Sequence, residues 1–174
     1  LKEYVDINVP VEELAHGMTM TGSNVESIQM LGEGITNVIV GKILTLEPHP
    51  NADRLVVCKV DVGAQEVQVV TGAPNVQPGQ LVPVALHGAT LPGDKKITKG
   101  NIRGVHSYGM LCSGEELGLT DEDYAGAQEY GILILREDYP LGINIREALG
   151  LDEEVIEFEI TSNRPDCLSV VGLA

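Results

Sequence analysis

Lys95, Lys96, Lys99 and Arg103 place four cations within nine residues, with His106 close by and Asp94 the only acid beside them. Cations at this density on a surface can neutralise successive phosphates of a polyanion and release its condensed counterions. The same residues would serve equally well on a charged hairpin that only keeps the chain soluble. Aromatic side chains for stacking on unpaired bases are scarce, since only Tyr108 lies nearby and Phe158 is fifty residues further on. Contact with the shape and backbone of a folded nucleic acid therefore suits these residues better than base stacking.

Other chemistries find no support in residue spacing. Gly32-Glu33-Gly34 precedes a strand-like run instead of opening a helix, so it is no dinucleotide fingerprint. Gly41-Lys42 lacks the upstream glycine spacing of a phosphate loop. His16, His49, His87 and His106 are scattered without paired ligand spacing, which leaves no metal motif. Ser113 lies in Cys-Ser-Gly, not in a nucleophile elbow, and Asp121-Glu122-Asp123 reads as a solvated acidic loop. No catalytic site is expected.

The net charge of −15 argues against a polyanion partner taken as a total, but the charge is uneven. Residues 40–108 hold seven Lys or Arg against five acids, a balance of +2, so the other segments carry −17. Such asymmetry is what a local anion-binding face on an acidic protein produces. Cys58, Cys112 and Cys167 are odd in number and far apart, which fits a reducing cytoplasm better than a disulfide framework. No signal peptide or apolar run of spanning length is read. The chain begins at Leu1 and stops within the apolar run Leu168 to Ala174, and it reads as a fragment of a longer protein.

The elements that must position the cations centre on residues 49–63. Pro50 disfavours helix at His49, and Asn51 and Asp53 tolerate tight turns. Residues from Leu55 to Val62 then form a strand apolar on both faces, as in a small closed barrel. Further strands are predicted at Val38 to Leu46, Glu66 to Thr71, Leu81 to Leu86 and Gly131 to Leu135, with a hairpin within Lys95 to Val105 that buries Ile97, Ile102 and Val105. Pro83 predicts a missing ladder partner on one side of its strand. These short strands predict an OB-type Greek-key barrel over residues 38–150.

The two ends share another texture. Leu1, Tyr4 and Val5 predict a helix at the start, and Pro10 opens a second one over Val11 to Ala15. Val25 to Leu31 and the alternating Glu154 to Ile160 read as strands, and a final helix is predicted with its cap at Asp166. The architecture expected is a mixed one: an OB-fold barrel inserted into a split α/β domain made of residues 1–37 and 151–174.

Three blocks narrow the reading. His49-Pro50-Asn51-Ala52-Asp53-Arg54-Leu55 with Cys58 to Gly63, Val70 to Val76, and Arg103 to Ser113 resemble, in order, the EMAP-II-like tRNA-binding domain shared by several synthetases and their accessory factors. Leu1 to Ile7 and Thr161 to Ser169 are similar to the split N-terminal domain of the bacterial phenylalanine–tRNA ligase β subunit family. The resemblance implies a cytoplasmic α2β2 ligase that uses ATP and magnesium to join phenylalanine to tRNA(Phe), with catalysis in the α subunit. It implies no cofactor and no metal ligand in this stretch. The RNA-contacting residues it implies are Arg54, Lys59, Asn75, Lys95, Lys99, Arg103, Ser107 and Met110. One departure stands out: residues 39–150 carry nine cations against fourteen acids, net −5, whereas free-standing members of the module are basic. That departure keeps two alternatives in view, a structural insertion that supports subunit assembly and a free-standing tRNA binder.

Overall fold

β-Branched residues crowd the segment from Thr36 to Thr71, and the first strands of the central sheet form there. The structure, a computed structural model, describes residues 1–174. In chain order the elements begin with helix α1 (Val11–Met20), then strands β1 (Asn24–Met30), β2 (Thr36–Pro48), β3 (Val56–Asp61), β4 (Glu66–Thr71) and β5 (Leu81–Leu91). Short strands β6 (Lys95–Lys96), β7 (Gly100–Ile102), β8 (Val105–Ser107) and β9 (Gly109–Leu111) follow. Helix α2 (Ile145–Ala148), strand β10 (Glu154–Glu159) and helix α3 (Val170–Leu173) complete the chain. These elements form two compact units, Gly32–Leu151 and the pair Leu1–Leu31 with Asp152–Ala174.

In the larger unit, β2 is long enough to serve two neighbours. Its first half lies antiparallel to β5 and its second half antiparallel to β3. Register shifts between Thr36 and Val38, and between Ile43 and Thr45, let it bend as it changes partner. The strand order is β4-β3-β2-β5-β6, with β9 also paired to β5. The sheet curls like a barrel until Tyr108 N–H reaches Gln68 O on β4 at 2.9 Å. Ile43, Cys58, Val60, Val69, Val82, Val84 and Leu111 fill the interior, while Lys59 between them stays exposed. The period-2 pattern of β3 thus sets which residues enter the core. Gly41 sits in filled space inside the sheet: a Cβ there would lie 2.7 Å from Val60 Cγ1 and from Val84 Cγ2.

Pro83 lies deep in this sheet instead of at an edge, and the hydrogen-bond accounting explains why it is tolerated. Cys112 N–H donates to Pro83 O at 3.1 Å, but proline has no N–H to return. Cys112 O accepts instead from Leu133 N–H at 2.9 Å. The ladder neighbour predicted to be missing is therefore present on both sides, with a third segment supplying the absent donor. Residues 131–135 do this from an irregular path joined by an isolated bridge, Leu81 to Leu135, and not as the regular strand predicted. Ile102 differs too. It is 37% exposed, because the β7–β8 hairpin forms its own two-stranded sheet away from the core.

In the smaller unit, α1 carries Glu12 and Glu13 in its first turn, where the helix dipole favours acids, and buries Val11 and Ala15. Strand β1 pairs antiparallel with β10, supported by Asn24 and Ser27 side chains donating to Glu159 and Glu157 at 3.0 and 2.9 Å. Residues 1–5 make only a single turn, with Tyr4 and Val5 N–H on Leu1 O, where a helix was predicted. The last helix starts later than its predicted cap: Ser169 Oγ accepts from Gly172 N–H, after a 3-10 turn over Pro165–Leu168. Asp166 is engaged elsewhere. Its carboxylate accepts from the Arg164 guanidinium at 3.1 Å, and that hydrogen bond holds its pKa below the ordinary carboxylate value.

The crowding at Gly41 gives a direct stability test. Gly41→Ala forces a methyl into filled space and is expected to lower stability by about 1–3 kcal/mol. Gly100→Ala, where a Cβ meets nothing within 4 Å, should stay within about 0.5 kcal/mol. Urea unfolding of both variants checks the contrast.

Candidate nucleic-acid interface

The turn at residues 49–55 is built on a buried histidine. His49 is 5% exposed; its Nδ1 accepts from Asn51 N–H at 3.0 Å and its Nε2 lies 2.9 Å from Ile102 O. An accepting Nδ1 carries no proton, so Nε2–H is the donor to Ile102 and the ring is the neutral Nε2–H tautomer. Asn51 Nδ2 donates to Arg103 O at 2.9 Å. Both bonds land on the tip of the β7–β8 hairpin. Arg103 and Gly104 form its two-residue turn with φ of +48° and +95°, the left-handed pair that a type I′ connection requires. Asn101 Oδ1 accepts from Gly104 N–H at 2.7 Å and tightens the same turn. The first and third sequence blocks are therefore one structural device. Sequence reading saw turn chemistry at His49 and Asn51 but missed these contacts. A histidine beside a proline in an otherwise polar turn was the available signal.

Two of the eight residues implied by resemblance are engaged inside the fold, and a third is half-buried. Ser107 is 4% exposed, and its hydroxyl accepts from Val70 N–H at 3.0 Å while donating to Gly109 O at 2.8 Å. It belongs to the seam that closes the sheet, with its hydroxyl engaged on both sides. Asn75 clips the loop after β4 to Ile132: Nδ2 donates to Ile132 O at 2.8 Å and Oδ1 accepts from Ile132 N–H at 3.0 Å. Both ends of that amide are taken. Met110 is half-buried in β9, opposite Ala85 on β5.

The cations remain at the surface. Lys59 pairs with Glu66 at 3.4 Å, both exposed, and Lys95 pairs with the half-buried Glu116 at 2.7 Å. Neither Arg54, Lys96, Lys99 nor Arg103 takes part in an ion pair, and all four are exposed. Lys99 is oriented through its backbone, whose N–H donates to His87 Nδ1 at 3.2 Å. Lys96 belongs with this set, although the resemblance did not include it. The arrangement can attract and hold an anionic backbone, and it contains no group placed for bond-making chemistry.

Two of the cysteines are inert for a physical reason. Burial raises the Cys58 thiol to about 11, and burial together with the nearby Glu116 carboxylate raises Cys112 to about 12. Only the thiolate is nucleophilic. At pH 8, about one Cys58 in a thousand is ionised.

The fold and the surface define a nucleic-acid-binding module, and the comparisons agree: the chain belongs to the family described as "Putative tRNA binding domain", which matches residues 38–144. Over its whole length it is also similar to phenylalanine–tRNA ligase beta subunits. It is 55% identical over 175 residues to that of Clostridium acetobutylicum and 53% identical over 175 residues to that of Clostridium tetani. The Moorella thermoacetica subunit is 49% identical over 174 residues. In each case 100% of this chain aligns with 22% of the relative, so the chain spans about a fifth of the length of the curated relatives it matches.

Two predictions separate seam from surface. Ser107→Ala leaves Val70 N–H buried without an acceptor and should cost about 1–3 kcal/mol of stability in urea unfolding. Its tRNA affinity per folded molecule should be unchanged. Iodoacetamide at pH 8, read by mass spectrometry, should leave Cys58 and Cys112 unmodified until denaturant unfolds the chain.

Proposed function

We propose that this chain is the tRNA-binding portion of a phenylalanine–tRNA ligase β subunit, and that its exposed cations contact tRNA phosphates. The observation that carries the reading is the coincidence of two facts. The family match spans residues 38–144, and within it Lys96, Lys99, Arg103 and Arg54 are all exposed and unpaired. In this reading the larger unit is an OB-type barrel, and the smaller unit is a split α/β domain into which the barrel is inserted. The parent is a cytoplasmic ligase in which an α subunit and ATP with magnesium carry the joining of phenylalanine to tRNA(Phe). This chain contributes binding and no catalysis. Lys59, Lys95 and Met110 belong to the proposed contact surface, with the two lysines released from their carboxylate partners, Glu66 and Glu116, on binding. Such pairs are worth about 0–1 kcal/mol, so a phosphate displaces the carboxylate readily.

A second reading, a structural insertion supporting subunit assembly, is favoured by the −5 balance of residues 39–150 and by the internal roles of Ser107 and Asn75. The two readings part on charge reversal. Replacing Lys96, Lys99 and Arg103 together with Glu should weaken tRNA binding by at least about tenfold at 50 mM salt and flatten the dependence of log K on log salt. Fluorescence titration of the 174-residue chain with tRNA measures both. Binding untouched by the reversal, with aminoacylation by the assembled ligase also unchanged, would favour the structural reading.

A further inference from the structure

We infer that His49 and Asn51 are positioning residues for Arg103: they hold the tip of the β7–β8 hairpin so that this arginine meets a phosphate of the RNA. This rests on the reading that the exposed cations contact tRNA, and it adds a role for two side chains that do not touch the ligand. The hairpin forms a two-stranded sheet of its own, and Gly100 to Gly104 are exposed throughout. Its base is tied to the barrel through Gln68 Nε2 on His106 O at 2.7 Å and through Ser107. Its tip is tied through two bonds, His49 Nε2–H to Ile102 O and Asn51 Nδ2–H to Arg103 O. Both accept at backbone oxygens, so they fix where the chain runs and leave the Arg103 side chain free. Packing repeats the message: a Cβ on Gly104 would lie 3.3 Å from Asn51 Nδ2, which shows how closely the tip sits on the turn.

The geometry is also one-sided with respect to side-chain chemistry. Asn51 bridges two levels, its N–H on His49 Nδ1 and its amide on Arg103 O. Removing the amide alone cuts the bond at Arg103 itself and leaves the buried histidine, with its bond to Ile102 O, in place. A flexible arginine on a loose tip must lose more conformational freedom to bind one phosphate, and the contact weakens or disappears. The consequence is non-additivity: once Arg103 is gone, the clip has nothing left to position.

The test uses the 174-residue chain, tRNA titrations at several salt concentrations, and the variants Asn51→Ala, Arg103→Ala and their double. Arg103→Ala should weaken binding about fivefold and reduce the salt slope by about one phosphate. Asn51→Ala should reproduce most of both effects, and the double variant should be no weaker than Arg103→Ala alone. His49→Gln, which can still donate to Ile102 O, should bind better than His49→Ala. Amide hydrogen exchange should quicken at Ile102 to Val105 in Asn51→Ala, with Cys58 and Val60 still protected. Losses that add in the double variant, or an Asn51→Ala protein with the unaltered salt slope or unaltered exchange at the tip, overturn the positioning role alone. No tRNA binding by the unaltered chain at low salt would overturn the underlying reading, and the positioning role with it.

Discussion

A strand edge inside a protein must find partners for its backbone, and the outer edge of β4 finds them in residues 106–109. Tyr108 N–H donates to Gln68 O, and Ser107 Oγ accepts from Val70 N–H while its own O–H donates to Gly109 O. Without this seam the sheet would end at β4 with buried donors unsatisfied, each costing about 1–3 kcal/mol. The seam also dictates what lies outside it. A chain that must enter the seam at His106 and Ser107 leaves β7 and the preceding lysines on the solvent side, and cations can occupy those positions without desolvation. Closure of the sheet and display of positive charge are thus two results of one backbone requirement.

The charge distribution follows a similar logic. A chain of net −15 repels a polyanion at long range, but screening limits that repulsion to about 8 Å at physiological salt. Lys96, Lys99 and Arg103 are exposed and take part in no ion pair, so their charge is available at short range. Glu66 and Glu116 are taken up by Lys59 and Lys95, in surface pairs of small net value. Local arrangement, more than the total, decides what the surface attracts. The −5 balance of residues 39–150 bears on how far away attraction begins and less on the strength of a formed contact.

What could be read in the sequence was what depends on near neighbours. The β-branched runs Leu55 to Val62 and Glu66 to Thr71 marked β3 and β4, and Pro50 with Asn51 marked the turn before them, but reading β3 as apolar on both faces did not separate the buried Cys58 and Val60 from the exposed Lys59. What could not be read depended on distant partners. His49 to Ile102, Asn75 to Ile132 and Ser107 to Val70 join residues 53, 57 and 37 positions apart. Nothing local at Ser107 distinguishes a hydroxyl that faces a ligand from one that closes a seam. Pro83 misled for the same reason, since the donor that replaces its missing N–H comes from Leu133, fifty residues away in the chain.

This division explains how a block of residues can mark a binding module while few of its side chains face the ligand. In the stretch from His49 to Leu55, the histidine and the asparagine hold backbone, the proline shapes the turn, and Arg54 alone carries positive charge to the surface. In the stretch from Arg103 to Ser113, the arginine faces solvent and the serine faces the seam. Substitutions therefore act through two channels. Those at backbone-holding residues change the stability or placement of the strands, whereas those at the exposed cations change the field a partner meets. The two channels meet at the hairpin tip, where Asn51 bonds the backbone of the residue whose side chain carries the charge. That single bond links the architecture of the turn to the electrostatics of the surface.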